Sequence, residues 1–329
     1  MISTLWLQAR LYLLVALLFG ILFGVIYAIG LYFGLTGSSF LIFTFVASLL
    51  LVLLQFLIGP KIVEWSMRVK YVTPQEYPKL HSMVAELAQK AGLPNTPKIG
   101  ISQLSIPNAF AFGRTKKGAR VCVTKGILDL LTDDELKAVL GHEISHVRHR
   151  DVMVITMLSV IPMIFYMIYI SFFWGGMGSR DRQGGGTILV GLAALAIYFL
   201  TNLLVMYGSR IREYYADRGS TELGCQPTYL ANALYKLTTW SAKAPKQVIK
   251  QTEGMKAFFI NDPARAMEEV RDVRELDSNK DGVIDQNDMM ALSGKRVNLH
   301  AGARFLEIFG THPNVVKRIK HLSTLQAAS

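Results

Sequence analysis

From Leu11 to Pro60 the chain carries no charged residue, and the same is true from Val152 to Ser179 and from Gln183 to Ser209. Few features constrain a fold more tightly. The first stretch, broken at Thr36-Gly37-Ser38-Ser39, is long enough for two membrane-spanning helices of ~20 residues each. The other two stretches form a second hairpin around Gly184-Gly185-Gly186. Four transmembrane helices are therefore expected, one pair in residues 1–60 and the other in 152–209. A cleaved signal peptide is not expected, because the first apolar run exceeds a signal core of about 7–15 residues and a second span follows it at once. A hydrophobic share of 51% agrees with membrane residence.

Lysines and arginines near the span ends set the orientation. Arg10, Lys61, Arg68, Lys70, Arg148, Arg150, Arg210 and Arg212 fall on one side, whereas the other has only Arg180 and Arg182, with Asp181 between them. Both termini and the hydrophilic segments are thus expected on the cytoplasmic face of a cell (inner) membrane. The net charge of +11 suits contact with anionic lipid headgroups. No nucleic-acid partner is expected, since no basic motif interleaved with aromatics is present. Cys122 and Cys225 lack metal-ligand spacing and read as small buried residues in a reducing compartment. The oligomeric state stays open.

The hydrophilic segments 61–151 and 210–329 read as two parts of one α+β domain. Glu76 to Ala91 has helical periodicity and stops at Gly92. Lys98–Ile101, Asn108–Gly113 and Ala119–Thr124 read as strands of a small antiparallel sheet, with Arg114–Gly118 as the turn between the last two. Further helices are expected at 227–243 and 312–325.

The chemistry centres on His142-Glu143-Ile144-Ser145-His146. Two imidazoles four residues apart share one helical face and can grip one Zn²⁺, while the glutamate reaches a water activated by the metal. Thr132-Asp133-Asp134-Glu135 reads as the capping box that opens this helix. A zinc enzyme needs a third protein ligand. His149, on the same helix, completes a tetrahedron poorly. A histidine six residues after His146 would suit another class, but Val152 stands there. Glu213, just beyond the fourth span, is the better candidate, because a membrane hairpin returns it to the helix end before the third span. Asp217, one turn on, can accept the remaining N–H of a ligating imidazole.

These residues, with four flanking spans, closely resemble the HtpX heat-shock membrane metalloproteases, of the gluzincin group that also includes the CAAX prenyl proteases. The resemblance implies a zinc endopeptidase, one ion per subunit, with Glu143 as general base. It implies that Asn108-Ala109-Phe110-Ala111-Phe112 is an edge strand pairing with substrate backbone. It also implies that His312 and Arg318 stabilise the transition state, and that the substrates are misfolded or unassembled membrane proteins cleaved at the cytoplasmic face in quality control. CAAX-type processing fits less well, because those relatives enclose a chamber with more spans.

One segment departs from that pattern. Asp277, Asn279, Asp281, Val283 (through its carbonyl), Asp285 and Asp288 occupy the ligand positions of an EF-hand loop, with Gly282 at the turn. An EF-hand-like insertion that binds Ca²⁺ is therefore expected, weakened by Asp288 where glutamate is usual. Two other classes compete. A transporter would need its ligands near the membrane midplane, whereas these stand at span ends. A calcium-responsive, non-enzymatic adaptor would have no use for Glu143 beside a full ligand set.

Overall fold

The computed structural model describes residues 37–151, 184–250, 265–294 and 310–327 continuously, together with scattered positions in 13–34, 162–172 and 259–263 and at 307. The chain divides into two compact units, residues 1–59 with 153–208 and residues 60–152 with 209–329.

In the first unit lies most of α1 (Ser38–Ser66), which carries no charge until Lys61. Its Ile42, Phe43, Leu50 and Leu54 are exposed. Among the described residues one helical stretch, Ile188–Glu222, is long and apolar enough to cross a membrane. It belongs to α5 (Gly184–Glu222), whose Leu189, Phe199 and Leu200 are also exposed. The third expected span lies largely outside the described residues, and the first is described at scattered positions.

The second unit holds a four-stranded sheet ordered β1-β2-β4-β3. Its strands are β1 (Val69–Tyr71), β2 (Lys98–Ser102), β3 (Ala109–Phe112) and β4 (Arg120–Thr124). The sheet is mixed, which corrects the antiparallel expectation. β1 pairs with β2 and β3 with β4 in antiparallel fashion, but β2 and β4 run parallel. The β3–β4 hairpin through residues 113–119 puts β3 outermost, so of these two strands it is β4 that meets β2. At three residues, Val69-Lys70-Tyr71, β1 is too short to give a strand signal in the sequence.

Around the sheet stand α2 (Pro78–Lys90), α3 (Lys125–Leu130), α4 (Asp133–His149) and α6 (Pro227–Lys243). The short α7 (Lys246–Lys250) is followed by α8 (Ala266–Arg274), α9 (Gln286–Ser293) and α10 (Val315–Gln326). The helix at 76–91 is shortened to Pro78, where proline suits the first turn, and Gly92 ends it at φ +64. Leu136, Val139, Leu140, Ile144 and Val147 of α4 join Val84 and Leu87 of α2, Val121 and Val123 of β4, Leu230 and Leu234 of α6, and Val315 and Ile319 of α10 in one core.

Candidate metal centre

The helix that carries the metal motif begins as the residues demand. The Thr132 hydroxyl accepts the Glu135 N–H, and the Glu135 carboxylate accepts the Thr132 N–H at 2.9 Å. That carboxylate also receives Lys236 at 2.8 Å, which ties α4 to α6. Burial then runs unbroken from Ala138 to Val147, so His142, Glu143 and His146 are all enclosed.

Two glycines allow α5 to reach this helix. A Cβ on Gly219 would stand 1.9 Å from Oγ and 2.6 Å from Cβ of Ser145 on α4. One on Gly141 would stand 2.8 Å from Ser220 Oγ. Ser220 also donates to the Ala138 carbonyl at 2.7 Å. This close crossing delivers Glu213 to the two imidazoles.

Nε2 of His142 and Nε2 of His146 are 3.2 Å apart. Glu213 Oε2 is 3.4 Å from the first and Glu213 Oε1 is 3.5 Å from the second. Ligands ~2.0–2.1 Å from one ion at the tetrahedral angle are about 3.3 Å apart. Three separations around this value fit a single small cation. Glu213 Oε2 is buried and accepts no aligned hydrogen bond among the described residues, its ionic contact with Arg318 Nη1 at 3.1 Å aside, which leaves it free to ligate. His142, His146 and Glu213 form the one cluster of three such donors within 4.8 Å among the described residues.

The Nδ1 atoms face the other way. His142 Nδ1 lies 3.0 Å from Asp217 Oδ1, and His146 Nδ1 lies 3.0 Å from Asp151 Oδ2. Burial opposes the charged form of His146, but its bonds to Asp151 and Glu213 outweigh this and lift the ring to about 10. His149 bonds the Ser145 carbonyl of its own helix at 2.9 Å and stays outside the cluster.

Glu143 is buried, which raises its carboxyl above the usual range against the lowering pull of His146 and His142. It accepts the Ala111 N–H, so its carboxylate touches the edge strand. β3 is indeed at a sheet edge, with Phe110 and Phe112 packed beside Met67 and Phe259. Asn108, just before the strand, accepts the Ile260 N–H at 3.0 Å.

His312 precedes α10, which opens at Val315 with Asn314 as its cap. Its Nε2 is 3.9 Å from Glu213 Oε1. Arg210 holds the turn before it, donating to the Glu307 and Gly310 carbonyls at 3.0 and 2.7 Å. Arg318 is wholly buried. It grips Asp217 through Nε at 3.0 Å and Nη2 at 2.6 Å, while Nη1 lies 3.1 Å from Glu213 and 2.5 Å from the Ile260 carbonyl. Sequence reasoning missed Asp151, Arg212, the Ile260 peptide and the glycine crossing. Only the paired Gly-Ser at 219–220 carried a signal, as a small-residue site on a helix.

Residues 74–326 match peptidase family M48. The chain belongs to that family. Within it the protein is an HtpX-like protease. It is 50% identical over 236 residues to the protease HtpX homolog of Methanothermobacter thermautotrophicus, covering 72% of this chain and 87% of that one. It is 39% identical over 275 residues to protease HtpX homolog 2 of Methanosarcina acetivorans, covering 83% and 81%. A crystal structure of S. mikatae Ste24p aligns with a TM-score of 0.47 at 16% identity, over 85% of this chain and 57% of that one, a likeness too distant to bear on the fold.

The loop at 277–288 stands between α8 and α9, with Gly282 at φ +87. Its side chains bond mainly within the loop, and Asp277 also accepts the Tyr235 hydroxyl of α6 at 3.1 Å. Asp277 accepts the N–H groups of Asp281 and Gly282, and Asn279 and Asp281 are joined side chain to side chain. The Val283 N–H donates to Asp281, and Asp285 and Asp288 form the capping box of α9. The loop carboxylates therefore form no three-donor cluster of the kind found at His142.

Proposed function

We propose that this M48 member is a membrane-embedded zinc endopeptidase. In this reading it crosses a cell membrane several times, with active site and both termini in the cytoplasm, and cleaves misfolded or unassembled membrane proteins. The observation that carries the zinc assignment is the convergence of two Nε2 atoms and the Glu213 carboxylate at separations of 3.2 to 3.5 Å. Membrane residence is supported by the uncharged stretches and by the exposed apolar faces of α1 and α5, which water would penalise.

His142, His146 and Glu213 would hold the ion, which when bound supplies Lewis acidity toward a water and the scissile carbonyl. Glu143 takes a proton from the attacking water and delivers it to the leaving amine. An extended substrate adds to the edge at β3, beside the Ala111 N–H that Glu143 already touches. His312 supplies a donor for the developing oxyanion. Arg318, with its guanidinium committed to Asp217, Glu213 and Ile260, acts by positioning those groups.

Protein purified under chelation should gain casein hydrolysis on adding zinc and lose it again with chelator. Because His146 holds a proton up to about 10 in the metal-free site, zinc must displace it at neutral pH. Affinity for zinc therefore rises with pH, and the binding heat depends on the ionisation enthalpy of the buffer. Hydrolysis that survives complete zinc removal would end this reading.

Calcium modulation through residues 277–288 is a separate part of the proposal, supported by the ligand spacing and by the wrap of the turn around Asp277. Titrating Ca²⁺ should give heat and raise the melting temperature of the wild-type chain, and do neither in Asp281→Ala. No heat in the wild type removes calcium from the account.

A further inference from the structure

Asp151 and Arg212 play no part in the chemistry above, yet both are buried beside the zinc cluster. Asp151 Oδ2 stands 3.0 Å from Nδ1 of His146, as Asp217 Oδ1 stands 3.0 Å from Nδ1 of His142. Arg212 Nε lies 3.3 Å from Asp151 Oδ1, and Arg318 Nη2 lies 2.6 Å from Asp217 Oδ1. Each imidazole thus has its own carboxylate, and each carboxylate its own guanidinium.

The backbone is bent to achieve this. Arg150 caps α4 in the left-handed region at φ 60, a conformation that costs a non-glycine residue ~1–2 kcal/mol. Had α4 run on, Asp151 would lie ~7.5 Å along the axis from His146 and on another face. The left-handed cap folds it back onto the imidazole instead. On the other side, Arg212 adjoins Glu213, so one turn of α5 supplies both the carboxylate ligand and the cation.

We propose that Asp151, held by Arg212, is a positioning residue of the metal centre: it keeps the proton on Nδ1 of His146 and so presents Nε2 to the ion. The inference rests on the zinc reading above. A pair serving only to stabilise the fold would have its hydrogen bonds filled. Here Asp151 Oδ1 and Arg212 Nε and Nη1 find no aligned partner among the described residues, and the well-bonded oxygen is the one facing His146.

The test is zinc affinity of the full chain in detergent, by competition with a chelator, beside the melting temperature of the metal-free protein. Asp151→Asn should bind zinc ~10–100-fold more weakly than wild type while its metal-free form stays folded. A folded Asp151→Asn with wild-type affinity overturns the proposal, even if it melts earlier. If that variant does not fold, Asp151→Glu takes its place: several-fold weaker binding upholds the proposal and unchanged binding overturns it. A wild-type chain that takes no zinc, like a His142→Ala control, would instead sink the zinc reading itself.

Discussion

Glu143→Gln is expected to bind zinc as the wild-type chain does and to hydrolyse peptide bonds ~10²–10⁴-fold more slowly. Glutamine matches the shape of glutamate and can still accept the Ala111 N–H, so the pocket stays filled. It cannot take up a proton. Glu143 lies outside the ligand cluster, which comprises His142, His146 and Glu213. Burial raises its carboxyl above the ordinary carboxylate range, which suits a group that must accept a proton and then return it. Casein hydrolysis and chelator competition on one preparation measure the two properties together. Wild-type turnover in the variant would remove Glu143 from the chemistry, and lost zinc would make it a ligand.

The same residues show how far the sequence reaches. His142 and His146 were legible because a helix sets their spacing, and Glu213 because the uncharged stretch before it brings the chain back. Asp217 follows Glu213 by one helical turn and inherits its position. Asp151 breaks this logic: its place depends on one left-handed residue, Arg150, and periodicity carries no trace of such a turn. The sheet was misread for a related reason. Strand alternation identifies β2, β3 and β4, but pairing direction follows from which strand the hairpin leaves inside, and the three residues of β1 are too few to show a pattern. In the 277–288 loop the ligand spacing is present, but the same carboxylates also suit N–H groups of their own turn and the start of α9. Spacing alone does not decide between a cation and a backbone donor.

Gly219→Ala should lower the melting temperature and weaken zinc binding, although alanine favours a helix over glycine by ~1 kcal/mol. Sterics decide the sign. The new methyl would sit 1.9 Å from Ser145 Oγ, which can rotate away, and 2.6 Å from Ser145 Cβ, which cannot. α4 and α5 must then separate, a strain of about 1–3 kcal/mol. Glu213 lies six residues before the crossing, ~9 Å along α5, so the displacement reaches a ligand set that tolerates errors of only ~0.2 Å. If ~1.4 kcal/mol of the strain falls on the metal-bound arrangement, affinity drops tenfold. Pairing the change with Ser145→Gly removes both opposing atoms and should restore binding, whereas Ser145→Ala leaves the Cβ in place and should restore little. A Gly219→Ala chain that melts higher and keeps its zinc would mean that the two helices have room to spare. The fit of Glu213 to the imidazole pair would then have to come from elsewhere in the fold.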